Sequence, residues 1–569
     1  MRRRIIFLLI IFLALNAPAE SAKFVPSDPI MPVSSLKPGM SGHMLTVLKG
    51  VEISRVPVKI VSVIPQKPSK IYRELILVRL INCKLAQGMS GSPVYVDGKL
   101  IGAIRSGWQN SDQSLALVMP IESMCAITEY DDMPAKGLAL SPVTLSGLSV
   151  NTSAMKELSQ KLGVTFTQGL SSGNSSAATS SQRLRPGDSL SAMLIWGDVE
   201  LSAAGTVTAV DRHGRFLAFG HDFLKRGNVA YPSGGAYIHE IVNSSTFPLK
   251  LASTQNINGT VTQDRENGIA GRFGYYAPSI AGEFIFRDSD RGTEDKYKFR
   301  TIADEFLTDD LIEAVCKGLA EESWGRKGQG TMSITLRIDG RNLPNGFARK
   351  DIFFSENNII DEAFKQVKLI ASAYLSQPFA EIMPCGFRIT AEVTQSPKVL
   401  LIEDVETVTD AKPGESIDVA VTLRGWRTES ITRKFTMRIP DDASGVVEMI
   451  VRGGGTQSLK QAGVEGGWKS IASLERMLTE FRAADGNNQL IIELNADRTG
   501  ELLSKIKNAR KKGAKSSKPK EEREPDLLPE EEEYLSETKE RRIREGTLKI
   551  FNSDYYVDGL MRRVIHTEN

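Results

Sequence analysis

Residues 87–104 read QGMSGSPVYVDGKLIGAI, and this stretch indicates the fold class of the first part of the chain. Apolar, strand-like residues lie on both sides of Asp97-Gly98, a preferred dipeptide for a two-residue type I′ turn because both positions need positive φ. Two further β-rich runs, at 58–64 and 75–78, precede this hairpin. The sequence therefore predicts that the first block of the chain is mainly β.

Length and composition restrict the class of protein. The chain has 569 residues, which at roughly 150 residues per domain predicts several domains. Its 48 glycines, 25 prolines and 7% aromatic residues favour many short strands and turns over a helical bundle. A formal net charge of +2 is too balanced for a protein that binds nucleic acid through many phosphate contacts. We expect a mainly β protein with α+β parts and no nucleic-acid partner.

The N-terminal 22 residues have the pattern of a secretory signal peptide. Three arginines follow Met1, an unbroken apolar run spans residues 5–15, and small residues offer cleavage after Ala19 or Ala22. The apolar run is too short for a bilayer span of about 20 residues, and no later stretch is long and apolar enough for one. The sequence predicts an exported protein of the periplasm or cell envelope, with no transmembrane span in the mature chain. An uncleaved N-terminal anchor is the alternative.

The pattern along the chain predicts eight segments. A serine- and glycine-rich stretch at 171–181 has too little apolar surface to fold and separates two β blocks. Helical periodicity gives residues 311–316 one apolar face, closed by Gly318, and residues 363–374 another. The segments are a signal peptide (1–22), a β-barrel half that carries Ser90 (23–140), a helix and Ser/Gly-rich linker (141–190), a β-barrel half that carries His221 (191–299), an α+β region (300–396), a small β-sandwich (397–455), a helix-strand segment (456–509), and a charged helix or disordered run with a terminal strand (510–569).

No metal or cofactor site is expected. The cysteines are widely scattered, and the sequence has no CxxC motif, no HExxH motif and no Cys/His cluster. We interpret the four cysteines as buried or unpaired thiols; they are Cys83, Cys125, Cys316 and Cys385.

Ser90 is the candidate nucleophile. A serine hydroxyl needs an adjacent base and backbone N–H groups aimed at the oxygen that becomes negative. The flanking glycines let the chain bend tightly and expose the amides of Gly88 and Ser90, which is the outline of an oxyanion hole. An ordinary Gly/Ser turn is the alternative. Residues 39–42 repeat Gly-Met-Ser-Gly without the following Ser-Pro and hairpin, so Ser41 is interpreted as structural.

His221 is the candidate base among five histidines. It follows the apolar strand at residues 216–219 and Gly220, which places its ring at the end of a β block. A buried structural histidine is the alternative, and His43 is the second candidate for the base.

These residues carry a resemblance to a known family. Residues 87–104 and 205–223 are similar to the two catalytic segments of the SpoIVB peptidase family, serine peptidases named for a sporulation-stage signalling protease. The resemblance covers residues 36–290, about half the chain. That family resembles the chymotrypsin-like group, so the resemblance implies a two-barrel, trypsin-like catalytic core with Ser90 as the nucleophile and His221 as the general base.

Two features depart from that family's pattern. The serine segment precedes the histidine segment, the reverse of the order in the sporulation protease, although geometry and not chain order defines a triad. The family's acid lies shortly upstream of the serine, where residues 78–84 hold no carboxylate. Asp264, on the histidine side, is the preferred substitute, with a salt bridge to Arg265 or a turn cap as its structural alternative. Asn82, through its carbonyl oxygen, and Asp222, beside the base, are the other candidates for orienting the ring.

Together these features predict an exported serine endopeptidase that acts on a protein or peptide, with its own chain as one candidate substrate. The expected catalytic residues are Ser90, His221 and Asp264, with the Gly88 and Ser90 amides as oxyanion hole. The alternative from another class is a non-catalytic cell-envelope scaffold that keeps the peptidase fold. A third is an envelope protein that binds carbohydrate or a partner through the C-terminal sandwich, and no aromatic platform favours it.

Overall fold

The computed structural model divides the chain into two compact units. Unit 1 contains residues 1–281 and 298–318, and unit 2 contains residues 282–297 and 319–569. The predicted signal peptide, the serine-rich stretch and residues 510–534 of the charged run lie outside the described residues. The structure describes residues 23–67, 72–129, 143–170, 183–244, 248–341, 343–377, 379, 384–456, 473–496 and 535–567.

Six strands close a barrel in the first part of unit 1. They are β1 (Ser41–Val47), β2 (Ile53–Pro65), β3 (Glu74–Leu80), β4 (Pro93–Val96), β5 (Lys99–Ser106) and β6 (Leu115–Pro120), in the order β1-β2-β3-β6-β5-β4. In β2, buried Val56, Val58 and Ile60 alternate with exposed residues, the period-two pattern of a strand with one face in a core. The expected hairpin is β4-β5, with positive φ at both Asp97 and Gly98.

The strands that follow in unit 1 include a closed ring of pairings. They are β7 (Val143–Ser146), β8 (Phe166–Gln168), β9 (Ser189–Gly197), β10 (Glu200–Val210), β11 (Arg215–Ala218), β12 (Gly227–Val242), β13 (Leu249–Arg265) and β14 (Gly268–Phe273), and the next two strands, β15 (Ser279–Asp288) and β16 (Thr293–Ile302), each belong partly to unit 1 and partly to unit 2. The ring runs β9-β12-β13-β14-β11-β10 and returns to β9 through the β9-β10 pairing. Strands β7 and β8 extend the sheet from β10.

The helices that begin in the described part of unit 1 are α1 (Ile121–Cys125), α2 (Ser153–Leu162) and α3 (Thr308–Trp324). Helix α2 begins where the Thr152 hydroxyl accepts the Met155 amide, and it ends at Gly163 in the left-handed conformation. Helix α3 buries Leu311 and Val315 as expected.

The expected end of this helix at Gly318 is wrong. Helix α3 continues to Trp324, and Gly318 lies within it. A Cβ on Gly318 would come within 2.9 Å of the Leu148 Cδ2 atom. The glycine therefore allows close packing inside a helix and does not terminate one.

Unit 2 begins with an α+β region. A sheet in the order β18-β17-β19-β15 packs beside α4 (Ile359–Leu375), with β17 (Gly330–Gly340), β18 (Leu343–Ser355) and β19 (Pro384–Thr394). The apolar face expected at residues 363–374 is buried, and the Phe364 ring meets the Phe284 ring edge-on at 6.1 Å between centroids.

The C-terminal part of unit 2 consists of two sheets that share one apolar core. Its elements are β20 (Val399–Glu406), β21 (Asp410–Ala411), β22 (Ser416–Gly425), β23 (Ser430–Arg438), β24 (Gly445–Gly453), α5 (Leu474–Ala483), β25 (Gln489–Ala496), α6 (Leu535–Glu545), β26 (Leu548–Asn552), β27 (Tyr556–Asp558) and β28 (Leu560–Thr567). The sheet orders are β23-β22-β20-β27 and β21-β28-β24-β25-β26. Val421 and Ile565, from different sheets, lie in the same core. The expected sandwich at 397–455 thus leaves out four strands that complete it.

Two absences concern only the described residues. Within these ranges no helix is both long enough and apolar enough to span a bilayer. The four cysteines all lie in the described part of the chain, and no disulfide joins them.

Candidate active site

The Ser90 loop connects β3 to β4 and lies against the ring of strands. Gly91 has φ +88°, and a Cβ there would lie 2.1 Å from the Thr206 carbonyl oxygen and 2.4 Å from the Phe219 nitrogen. Only glycine fits such a close approach of two backbones in the left-handed region. Gly91 therefore allows the loop to contact β10 and the end of β11.

Backbone hydrogen bonds hold the loop on both sides. The Gly91 amide donates to the Ile104 carbonyl of the barrel at 2.7 Å. The Ser90 carbonyl accepts the Thr206 amide of the ring at 2.8 Å, and the Gly91 carbonyl accepts the Thr208 hydroxyl at 2.7 Å. The Ser90 backbone is thus fixed between the barrel and the ring.

His221 follows a tight turn at the end of β11. Phe219 and Gly220 both have positive φ, at 65° and 67°. A phenylalanine in the left-handed region is uncommon, and such strain is most often found at functional sites. A Cβ on Gly220 would come within 2.8 Å of the Ile104 carbonyl oxygen, so this turn also packs against the barrel.

The loop and the turn meet at one cavity of about 140 Å³. Ser90 and His221, far apart in sequence, both line it, and both are largely buried, with 9% and 3% of their surfaces exposed. Gly88 and Arg105 also line it. The structure therefore brings the two expected residues to the same place.

Two backbone amides at this cavity lack acceptors. Gly88 and Ser90 are the residues expected to form the oxyanion hole, and both line the cavity. In the part of the chain that the structure describes, neither amide donates a hydrogen bond. Gly88 has φ +89°, the left-handed conformation that glycine tolerates at no steric cost. Unpaired donors beside a serine hydroxyl are the arrangement that stabilises a developing oxyanion.

The protonation of the His221 ring follows from its surroundings. Its Nδ1 atom lies 2.6 Å from the Asp222 carbonyl oxygen, which can only accept, so Nδ1 carries the proton and Nε2 keeps a lone pair. Burial and, to a smaller extent, the charge of Arg105 together lower the pKa of His221 to about 4, against the opposing effect of the Asp222 carbonyl. The ring is therefore neutral at neutral pH and able to accept a proton at Nε2.

The structure corrects the expected role of Asp264. Its two carboxylate oxygens accept the amides of Phe223 and Leu224, each at 2.7 Å, and none of the described contacts joins it to His221. Burial raises the pKa of Asp264 to about 6, against the effect of these two amides. From β13, Asp264 fixes the backbone that follows the histidine and does not hold the ring. The expected salt bridge to Arg265 is also not among the ion pairs of the described residues.

Within the described residues, none of the other candidate side chains makes a hydrogen bond to the His221 ring. The Asp222 side chain has a buried Oδ2 atom without a hydrogen-bond partner among these residues, and burial raises the pKa of this carboxyl group. Asn82 is exposed, with φ 56° in the turn after β3. His43 lies on β1, where its ring stacks on Tyr95 at 5.3 Å and accepts a hydrogen bond from Arg55 at 2.9 Å.

Two residues that sequence reasoning missed lie at the site. Arg105 lines the cavity, at the end of the strand that continues the predicted hairpin. Lys250 is buried under Gly88, and its Nζ donates to the Thr46 hydroxyl at 2.9 Å. Burial lowers the pKa of Lys250 to about 7. The only sequence signal for Arg105 was its place on an otherwise apolar strand, and Lys250 had none.

Comparison of the chain with protein-family models, with curated proteins and with solved structures finds no match. Within the described residues, no group of three or more His, Cys, Asp or Glu side chains is placed to hold a metal ion. The function is therefore argued from the chemistry of the site.

Proposed function

We propose that this protein is an exported serine endopeptidase of the SpoIVB-like kind, with Ser90 as nucleophile and His221 as general base. One observation carries the proposal: Gly88, Ser90 and His221 line the same cavity, where the Gly88 and Ser90 amides donate no hydrogen bond to any residue that the structure describes. A nucleophile, a neutral base and two oxyanion donors are the groups that acyl transfer requires. Export is supported by the signal-peptide pattern of residues 1–22.

These groups account for each step of acyl transfer. Nε2 of His221 takes the hydroxyl proton as Ser90 Oγ bonds to the carbonyl carbon of the scissile peptide, and the carbonyl oxygen becomes negative. The amides of Gly88 and Ser90 stabilise that oxygen. When the carbonyl re-forms, the amine leaves with the proton from His221. Water then repeats the sequence and releases the acid from Ser90.

The fold supports the finer proposal of a two-barrel, trypsin-like core. The serine loop belongs to the closed barrel β1–β6, and the histidine turn belongs to the closed ring β9–β14. Catalytic groups that come from two closed β structures and meet at one cavity are what the resemblance to the chymotrypsin-like group implies.

The orienting group in this proposal is a backbone carbonyl and not a carboxylate. The Asp222 carbonyl selects the correct tautomer of His221, as a triad aspartate does. Because the carbonyl carries no full charge, it stabilises the imidazolium less than a carboxylate would. We therefore propose a slower enzyme than one with a complete triad.

A non-catalytic scaffold is the second candidate function. It is favoured by two observations in the described residues: no hydrogen bond joins Ser90 to the His221 ring, and no carboxylate contacts that ring. Catalytic hydrogen bonds are often long before substrate binds, so the first observation also fits an enzyme.

Hydrolysis of an unfolded protein substrate separates the two candidates. Ser90→Ala should abolish new N-termini in the digest while leaving the unfolding midpoint nearly unchanged, because a single hydroxyl contributes little packing. Ser41→Ala is the matched control, since Ser41 lies in the other Gly-Met-Ser-Gly sequence, at residues 39–42, and is exposed on β1. Equal digestion by the wild type and Ser90→Ala would overturn the proposal, and no digestion by a folded wild type would favour the scaffold.

A further inference from the structure

Arg105 is a cation in the wall of the candidate active site. It lies near the end of β5, and it lines the cavity together with Ser90 and His221. Its side chain is partly buried, and the backbone continues along the same wall to Ser106 and Gly107. A guanidinium in this position is within reach of any chain segment that enters the cavity.

The guanidinium of Arg105 is held on two sides. Its Nη1 atom donates to the Glu266 carbonyl at 2.6 Å and to the Gly220 carbonyl at 3.4 Å. Its Cζ atom lies 4.9 Å from the centroid of the buried Tyr72 ring, a cation–π contact. Among the described residues, Nε and Nη2 have no hydrogen-bond acceptor. The guanidinium is thus held in place before a substrate binds, and Nε and Nη2 remain available to donate hydrogen bonds.

The positive charge of Arg105 is not neutralised by an ion pair. Burial raises the pKa of the Asp222 carboxyl group, against the smaller lowering effect of the Arg105 charge, while Glu266 pairs with Lys225 at 3.6 Å. Neither makes an ion pair with Arg105 in the described part of the chain. Burial keeps His221 neutral, so at neutral pH the charge among the described residues that line the cavity is the positive charge of Arg105.

On the basis of the proposed function, we propose that Arg105 selects peptide substrates that carry a carboxylate next to the scissile bond. A guanidinium with two free N–H groups matches a carboxylate bidentately, which gives both attraction and fixed geometry. A cavity of about 140 Å³ is smaller than typical ligand pockets of roughly 300 Å³ or more, so it suits one side chain of a longer peptide. The carboxylate is an Asp or Glu side chain if the enzyme is an endopeptidase, whereas selection of the substrate's C-terminus would make it a carboxypeptidase.

Matched peptides test this selection. One set has Glu, Gln or Lys at a single internal position and an amidated C-terminus, and a second set has no acidic side chain and a free or an amidated C-terminus. We expect kcat/KM for the Glu peptide to exceed that for the Gln peptide about ten- to a hundredfold, as charge-assisted hydrogen bonds give. A preference confined to the free C-terminus would assign the carboxylate to the substrate's end.

Variants of Arg105 identify the residue responsible. Arg105→Gln should remove the preference for the Glu peptide, and Arg105→Glu should reverse it toward the Lys peptide. Arg105→Lys should keep part of the preference, because lysine retains the positive charge but cannot bind a carboxylate bidentately. Arg79→Glu is the matched control, since Arg79 is exposed on the same barrel and its side chain donates to the Ser114 hydroxyl at 2.9 Å. We expect this control to keep the wild-type preference.

An uncharged fluorophosphonate separates failure of this inference from failure of the proposed function. If Ser90 reacts in the wild type and in Arg105→Gln, but Glu and Gln peptides are cleaved equally by the wild type, the selection by Arg105 is overturned and the peptidase proposal stands. A Glu preference that persists in Arg105→Gln also overturns it. If Ser90 does not react in the folded wild type, the peptidase proposal fails and this inference fails with it.

Discussion

His221 is a base whose strength is set by burial. The ring is almost fully buried, which favours its neutral form and lowers its pKa to about 4, although the backbone carbonyl that accepts the Nδ1 proton acts in the opposite direction. A triad carboxylate would act in the opposite direction by favouring the charged ring. The consequence is a base that is always in the correct form at neutral pH but accepts a proton less readily.

The pH dependence of acylation follows from this pKa. The active form of His221 is deprotonated, so activity should be present above pH 4 and should fall only as the pH approaches 4. We expect the rate of Ser90 acylation by a fluorophosphonate to stay level between pH 7 and pH 5. A half-maximal rate near pH 6.5, the ordinary value for histidine, would contradict the buried, carbonyl-bound ring.

Asp264 should affect stability through the backbone that it fixes. Asp264→Asn replaces one acceptor by an NH₂ group that faces a buried amide, Phe223 or Leu224, so we expect a loss of about 1–3 kcal/mol in the free energy of unfolding. Urea unfolding measures it. Asp295→Asn, the same substitution at a partly exposed position of β16, is the control and should change the stability little. A large loss of turnover with unchanged stability in Asp264→Asn would instead restore Asp264 as the group that stabilises the imidazolium.

The same carboxyl group makes stability depend on pH. Its folded pKa of about 6 lies above the ordinary 3.8, so its contribution is fully present below pH 3.8 and is lost as the pH rises through 6. Asp264→Asn should remove that part of the slope between pH 4 and pH 6. An unchanged slope in the variant would contradict the raised pKa.

Among the elements, the Ser90 loop is defined by one close contact. Gly91→Ala places a Cβ 2.1 Å from the Thr206 carbonyl oxygen, so the loop must move away from β10. Gly39→Ala is the matched control, because Gly39 has nearly the same φ, +90°, with nothing within 4 Å of its Cβ position. Both substitutions place alanine at a similar positive φ, so the backbone strain is the same and only the contact with Thr206 differs. We expect Gly91→Ala to lose acylation of Ser90 and Gly39→Ala to keep it; equal rates would contradict the role of the contact.

The elements with local signals were predictable from the sequence. The hairpin at Asp97-Gly98 was predictable because its turn needs two positive φ values, and the candidate loop was predictable from its glycines. The closed ring of strands was not, because its β9-β12 and β11-β14 pairings join strands that are distant in the sequence and carry no motif. Gly318 was misinterpreted because a glycine that permits packing and one that ends a helix look the same in sequence.

The orienting group of the site was beyond sequence reasoning for a different reason. A sequence pattern identifies side chains, whereas the ring is held by the Asp222 main-chain carbonyl, which any residue at that position supplies. Asp264 was found, but its contact with the backbone after His221 depends on where β13 lies beside that turn. The residue types therefore identified side chains that lie near the site, but not the role of each one.

In the molecule as a whole, all residues of the candidate site belong to unit 1. The described chain begins at Lys23, and Phe24 is already buried with Arg215 over its ring, while the Ser27 amide donates to the Val210 carbonyl. Phe24 and Ser27 therefore belong to the folded part of unit 1, which limits how late in the sequence the mature chain can start.

Mass spectrometry of the exported protein tests this start. We expect the mature chain to begin at Glu20 or Lys23, because cleavage further along would remove the buried Phe24. Deletion of residues 2–22 should leave the protein in the cytoplasm. An intact Met1 with retention in the membrane would support the uncleaved anchor and contradict secretion of a cleaved form.

The activation of Ser90 by His221 is the property on which the proposed function depends. It is measured by reacting the purified full-length protein with a fluorophosphonate and mapping the modified residue by tandem mass spectrometry, with the His221→Gln variant beside it. We expect a single label on Ser90 and a much slower reaction in His221→Gln, since the proton acceptor is lost. A label on another serine, or an equal rate in His221→Gln, would contradict the nucleophile and base assigned here.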